Sequence, residues 1–511
     1  MWENAAISLT VFLPLIGAGI IMLIPKRNED AAKPVALLIS LGGFLLALGI
    51  LGSYYLVDRP AGDLAFEVNI AWIPAIGARY HVGIDGISLP LFALSYLLTF
   101  LCSVYAFHHI EEPGKPKAFL SLMLLLQTGM AGCFIAFDLI LFFVFWELVL
   151  VPMYFMIGVW GGPRREYAAV KFFLYTLFGS VFMLVAFLAL YFAAPEPTFD
   201  IQRLMAFGQE GAFSRTFQLA AFAGVGIGFA IKVPMWPFHT WLPDAHTEAP
   251  TIGSVLLAGV LLKMGTYGFV RIALPILPEG AVFWAPLIAV LAVIAIIYGA
   301  LCCLAQTDLK RLIAFSSVGH MGFVMLGIAT LTPVGINAAI FGMIAHGVIT
   351  GMLFFVVGSV KDRYHTRAIA EIGGGLLQTL PRMGVVFTFV AIASLGLPGL
   401  AGFWGEVFAL LAAFSPAESL APWQTLYRVL MVFGAIGTVL TAGYFLWMLQ
   451  RVNMGQAPER WKDEGLQDIT VIEWGAWTPL LVMTLALGLL PLLVFGITDP
   501  DVTRILAAFG S

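Results

Sequence analysis

Charge is what this chain of 511 residues has least of: Asp, Glu, Lys and Arg together make up 11% of it, against roughly 25% in soluble globular proteins. A water-soluble core of this size cannot be covered by so few polar groups, so soluble enzymes are excluded. A net charge of -4 leaves no basic face for nucleic acid, and no such partner is expected. Cysteine is scarce as well. Cys102, Cys133, Cys302 and Cys303 all lie in apolar runs, without the C-x-x-C spacing of iron–sulfur or zinc sites, so no cluster, metal or structural disulfide is indicated. What remains is hydrophobic, 60% of all residues, in runs long enough to make lipid the solvent of most side chains.

At about 20 apolar residues per crossing, the sequence reads as an all-α, polytopic membrane protein with about fourteen transmembrane helices. They are placed near 5 to 24, 34 to 56, 84 to 107, 117 to 136, 138 to 160, 167 to 193, 217 to 245, 251 to 273, 281 to 304, 309 to 331, 334 to 358, 382 to 414, 424 to 450 and 474 to 497. The first apolar stretch runs directly into Lys26 and Arg27 with no small-residue cleavage pattern, which reads as a retained span and not a signal peptide.

Basic residues test this count, because cytoplasmic loops carry the Lys and Arg excess. One set of alternate loops holds seventeen of them, among them Lys26, Arg27, Lys310, Arg311 and Lys361, whereas the other set and the C-terminal tail hold seven: Arg59, Arg79, Arg203, Arg215, Arg271, Arg428 and Arg504. The bias persists through all the spans and places both termini on the non-cytoplasmic side of a bacterial inner membrane.

Four ionisable residues fall inside spans: Glu147, Lys232, Lys263 and Glu406. Such groups cost several kcal/mol at mid-membrane and by default mark an ion or proton path. Two spans are also broken. Pro234 and Pro237 interrupt the seventh and free the carbonyls of Ala230 and Val233, which are expected to take the ammonium of Lys232; Pro398 with Gly396, Gly399 and Gly402 interrupts the twelfth. Breaks five spans apart suggest two inverted five-helix repeats, each with a broken helix, as in transporters. On this reading residues 1–116 form three N-terminal spans, 117–273 the first repeat, 281–450 the second, and 451–511 a cytoplasmic loop and the last span.

Each residue has a plainer alternative. Glu147 is either a proton-transfer acid or a protonated structural carboxyl. Burial favours the neutral forms of a Glu and a Lys while their mutual attraction favours the charged forms, so a Glu147–Lys232 pair can hand on a proton when its separation changes. The lysines carry protons or snorkel to an interface. His320 and His346, at matching depth in spans ten and eleven, form a relay or are satisfied core residues. Glu406 follows the second break and is either a transfer group or a helix cap. His239, Asp244, His246 and Glu248 lack metal-site spacing, and Gly224, Gly226 and Gly228 follow no strand, so neither a metal nor a nucleotide is expected there.

The stretches Phe145 to Gly162, Lys232 to Pro250 and Ser316 to Gly322, with Lys263 and Leu397 to Glu406, resemble the antiporter-like membrane subunits of proton-pumping NADH:quinone oxidoreductase, respiratory complex I. The resemblance spans essentially the whole chain and is greatest to the branch called subunit M, or chain 4 in mitochondria. It extends to multi-subunit cation/proton antiporters and membrane-bound hydrogenases. It implies proton transfer by Glu147, Lys232, Lys263 and Glu406, connected by His320 and His346. Sister subunits carry lysine in place of Glu406, and the largest continues into a lateral helix absent here. It further implies no redox centre in this chain, with flavin, iron–sulfur clusters and quinone in partner subunits. The partners are then other membrane subunits of the complex, sisters included, together with lipid and protons.

Overall fold

The computed structural model describes residues 2–56, 62–462 and 465–509. Among them are twelve helices long and apolar enough to cross a membrane. The two remaining predicted crossings are the broken ones. The seventh is Arg215–Lys232 followed by Trp241–Glu248, and the twelfth is Pro381–Ser394 followed by Gly402–Phe414. The helical, polytopic membrane architecture read from the sequence therefore stands, with one short β element added to it. Arg59 and the terminal residues Met1 and Ser511 lie outside the described residues.

The spans sort into an inner and an outer group that hydropathy alone does not separate, since each is apolar on all sides. Thr251–Ile276 is buried over its whole apolar window, Pro333–Tyr364 over 94% and Leu309–Ala329 over 89%. By contrast Lys26–Leu56 and Glu418–Val452 bury 28% and 33% and face outward. Spans eight, ten and eleven are thus the centre of the protein, and Lys263, His320 and His346 all lie on them.

One element departs from the all-α expectation. Ala65–Ile73 and Ala78–Ile84 pair as an antiparallel hairpin between spans two and three, a stretch too short and too polar to register as a crossing. His81 fastens it: Nδ1 lies 2.7 Å from Asp200 Oδ2 and Nε2 2.9 Å from Glu67 Oε1. Burial opposes protonation of this imidazole, but the two carboxylates outweigh it and raise its pKa above the ordinary value. The Phe137 N–H bonds the His81 carbonyl at 2.8 Å, and Asp138 caps the next helix by accepting from Ile140 and Leu141. The hairpin thereby holds the start of the span that carries Glu147.

Two basic residues counted as loop charges are buried instead. Arg271 sits in a π-helical turn, Phe269–Ala273, fully buried, with Nη2 2.5 Å from Asp85 Oδ1 and Nε 3.1 Å from the Tyr267 hydroxyl. Lys310 is buried at the start of span ten and donates to the carbonyl of Ala249. A cation near a helix end is satisfied by a carboxylate or an exposed carbonyl, which a loop count does not register.

Candidate functional site

Span five is interrupted at Val149 between Leu139–Leu148 and Leu150–Trp160, where Pro152 has no N–H for the carbonyl of Leu148. Glu147 lies in the last turn before this interruption. It is half-buried, and its Oε1 is enclosed without a hydrogen bond. Lys232, at the end of the first half of span seven, is buried, and Nζ has no hydrogen-bond partner. It lies 5.0 Å from the centre of the Trp146 ring. Glu147 and Lys232 act on each other electrostatically without forming an ion pair. The break does not supply the carbonyls expected for Lys232, because Ala230 O accepts the Met235 N–H at 2.9 Å. The indole N–H of Trp241 reaches back 2.9 Å to Ile231 O and ties the two half-helices together.

The second half of the site is more closely connected. A π-helical turn, Leu257–Leu261, widens span eight just before Lys263 and turns the Ala258 carbonyl towards Nζ, which donates to it. The same ammonium lies 2.7 Å from His346 Nδ1 on span eleven. Lys263 is fully buried and reaches no interface, so it does not snorkel. The His346 and His320 rings meet edge to face, with centroids 5.7 Å apart. His320 Nδ1 lies 2.9 Å from Glu406 Oε1, and Nε2 lies 3.1 Å from the Ser394 hydroxyl.

The second break positions Ser394 and Glu406. Gly396 and Gly399 adopt φ of +84° and +90°, accessible to glycine at little cost, and reverse the chain between the half-helices. The Ala401 N–H bonds Thr484 O at 3.0 Å and pins the break to the last span. Span twelve then approaches span eleven so closely that a Cβ on Gly405 would stand 2.7 Å from Gly342 Cα. This contact brings the next residue, Glu406, against His320. Glu406 accepts no helix-capping bond; its Oε2 is enclosed without a partner, facing Gly396. His320, His346, Ser394 and Glu406 line a common small cavity of about 30 Å³.

The structure thus brings all six sequence-predicted residues into two groups, Glu147 with Lys232, and Lys263 with His346, His320 and Glu406. Ser394 was missed, since a serine in an apolar helix carries no distinguishing sequence signal. Lys310 and His246 were assigned to a loop and to a rejected metal pattern. A proton can pass between hydrogen-bonded nitrogens and oxygens without movement of the backbone, and the second group holds two such contacts, Lys263–His346 and His320–Glu406, separated by the edge-to-face step between the two rings.

Residues 136–441 match the family described as NADH:quinone oxidoreductase/Mrp antiporter, TM. The chain is 41% identical over 512 residues to NADH-quinone oxidoreductase subunit M of Rhodobacter capsulatus, covering 98% of this chain and 96% of that one. It is 39% identical over 508 residues to NAD(P)H-quinone oxidoreductase chain 4 1 of Nostoc sp., covering 99% and 91%. Among solved structures, a chain of respiratory complex I from Thermus thermophilus with bound NADH matches with a TM-score of 0.87 at 30% identity, over 99% of this chain and 100% of that one. A chain of the Mrp complex from Dietzia sp. matches with a TM-score of 0.84 at 21% identity, over 99% and 98%, a likeness of fold alone.

Proposed function

Because the chain belongs to the NADH:quinone oxidoreductase/Mrp antiporter family, among the subunit M and chain 4 proteins, we propose that it is a proton-translocating membrane subunit of an NADH:quinone oxidoreductase. It moves protons along Lys263, His346, His320 and Glu406, with Glu147 and Lys232 as the modulating pair. Flavin, iron–sulfur clusters and quinone belong to partner subunits, and quinone reduction there supplies the driving force. The observation that carries this reading is the pair of buried polar contacts, Lys263 with His346 and His320 with Glu406, whose two imidazoles meet edge to face.

The chemistry follows from these contacts. Lys263 as an ammonium gives a proton to His346 Nδ1 at 2.7 Å. Imidazole accepts on one nitrogen while releasing from the other, so His346 passes the charge across the shared cavity to His320. His320 delivers it to Glu406, whose second oxygen faces the break. A charge placed on Lys232 raises the cost of a second charge on Lys263, since like charges in a low dielectric repel strongly. Movement of Lys232 towards Glu147 relieves that cost and reloads Lys263. Two inverted units, 117–273 and 281–450, supply one broken helix to each half of this arrangement. The termini lie on the non-cytoplasmic side of a bacterial inner membrane, opposite the loops rich in Lys and Arg.

The test is Lys263→Met in the assembled complex, reconstituted in sealed vesicles. Loss of proton uptake coupled to quinone reduction is expected, and wild-type uptake would remove Lys263 from the path. Exchange of sodium for protons by the wild-type chain, independent of quinone reduction, would instead assign it to a cation/proton antiporter.

A further inference from the structure

The relay leaves one buried titratable arm unused, on the side of the Lys- and Arg-rich loops. His246, in Trp241–Glu248, is fully buried, and neither ring nitrogen has a hydrogen-bond partner. Its ring stacks on Phe354 with centroids 4.7 Å apart. An unsatisfied buried polar group costs about 1–3 kcal/mol, so packing alone does not account for an imidazole here. The cations that act on it are Lys310 and Lys263.

Lys310 is itself buried and donates to the carbonyl of Ala249, three residues beyond His246. Glu111, Asp308, Lys361 and Arg367 act on its charge. These four residues, with Glu248 and Ala249, line an open cleft at the protein surface. Phe354 follows His346 by eight residues on Pro333–Tyr364, so His246 stands about two helical turns from the contact of Lys263 with His346, towards the end where Lys361 and Ala249 line the cleft and Lys310 bonds Ala249.

From this placement we infer that Lys310 and His246 form a proton inlet to Lys263, separate from the modulating pair Glu147 and Lys232. The inference rests on Lys263 being a relay group. A proton from water in the cleft binds the neutral Lys310 amine. The ammonium then gives one proton to a ring nitrogen of His246, whose other nitrogen releases its own to neutral Lys263. No electron moves, and each step carries one positive charge inward. The inlet explains why a lysine is buried at the loop end of span ten and why His246 keeps both nitrogens unbonded.

Proton uptake coupled to quinone reduction, measured in sealed vesicles with the assembled complex, tests this with His246→Gln, Lys310→Met, Lys310→Arg and Lys263→Met. All four are expected to lose uptake to the same residual level. Lys310→Arg is decisive, since arginine keeps the charge and the donor to Ala249 O but does not release a proton at physiological pH. A Lys310 that merely caps the Trp241–Glu248 helix is replaced by arginine without loss. Full uptake by assembled Lys310→Arg or His246→Gln, with Lys263→Met inactive, overturns the inlet and leaves the relay standing. Full uptake by Lys263→Met overturns both. If Lys310→Met fails to assemble, the Arg and Gln variants still decide.

Discussion

The two halves of the buried charge system are built on opposite principles. In the half around spans five and seven, Lys232 rests over an indole with no hydrogen bond, and Glu147 keeps one enclosed oxygen unpaired. In the half around spans eight to twelve, Lys263 meets His346, and His320 meets Ser394 and Glu406, at hydrogen-bonding distances, with the two imidazoles edge to face between them. Unbonded charges in a low dielectric respond to small displacements and report a field, whereas a bonded line holds its geometry and conducts. The difference assigns sensing to the first half and transfer to the second, and variants in each half should fail in different ways.

The largest effect is expected at the end of the bonded line. Glu406→Gln keeps a group able to bond His320 but not one able to take its proton, and coupled proton uptake should fall by roughly 10²-fold, the lower range for a positioned proton-transfer group. Glu406→Asp keeps the carboxylate and should retain a substantial part of the uptake. Equal uptake by wild type and Glu406→Gln in vesicles would mean that the contact with His320 is structural. Glu147→Gln comes next: assembly should be intact and uptake down roughly tenfold, because the pair loses its field while the line survives. A complete loss for Glu147→Gln would place this residue in the line itself.

The four mid-membrane charges and both breaks were legible in the sequence because the membrane penalises each so heavily that it stands out from an apolar background. His320 and His346 were legible as a pair through their matching depth. Lys310 and Arg271 were hidden for the complementary reason. At the end of a span a cation looks like a loop residue, and only the tertiary partners, Ala249 O and Asp85, reveal its burial. The hairpin was hidden because its strands, Ala65–Ile73 and Ala78–Ile84, are too short to cross a membrane and lie in what reads as a connection. The π-helical turn before Lys263 has no residue signature at all, since Leu257–Leu261 is as apolar as the helix around it.

The hairpin bears on the comparison because it anchors the span that carries Glu147. The carboxylates of Asp200 and Glu67 raise the pKa of His81, so the clamp contributes stability that is fully present below the unfolded value and lost as pH rises through the folded one. A buried, charge-assisted bond of this kind is worth about 1.5–3 kcal/mol. Amide exchange over Ala78–Ile84 should accelerate over the interval above the ordinary imidazole value of about 6.5 once corrected for intrinsic exchange, and His81→Gln should remove that pH dependence. Unchanged protection in wild type across this interval would mean that the strand pairing alone fixes the hairpin and that the span of Glu147 does not depend on the clamp.

The smallest effect is expected at Trp146, and it separates the two halves most finely. Trp146→Phe leaves an aromatic face under Lys232 but deletes the Nε1–H that donates to Ser180 Oγ at 3.0 Å. The lost neutral hydrogen bond costs about 1 kcal/mol, and the weaker ring face subtracts a further fraction of a cation–π contact worth about 0.5–2 kcal/mol. A shift of that size alters the balance of Lys232 between ring and carboxylate by roughly fivefold or somewhat more. If Lys232 is held loosely, as its unbonded ammonium indicates, the variant should assemble and retain most of its coupled proton uptake, with a smaller defect than Glu147→Gln. A defect as large as that of Glu406→Gln would show that Lys232 is fixed by the indole as firmly as Lys263 is fixed by His346, and the division between a loose sensing half and a bonded conducting half would fail.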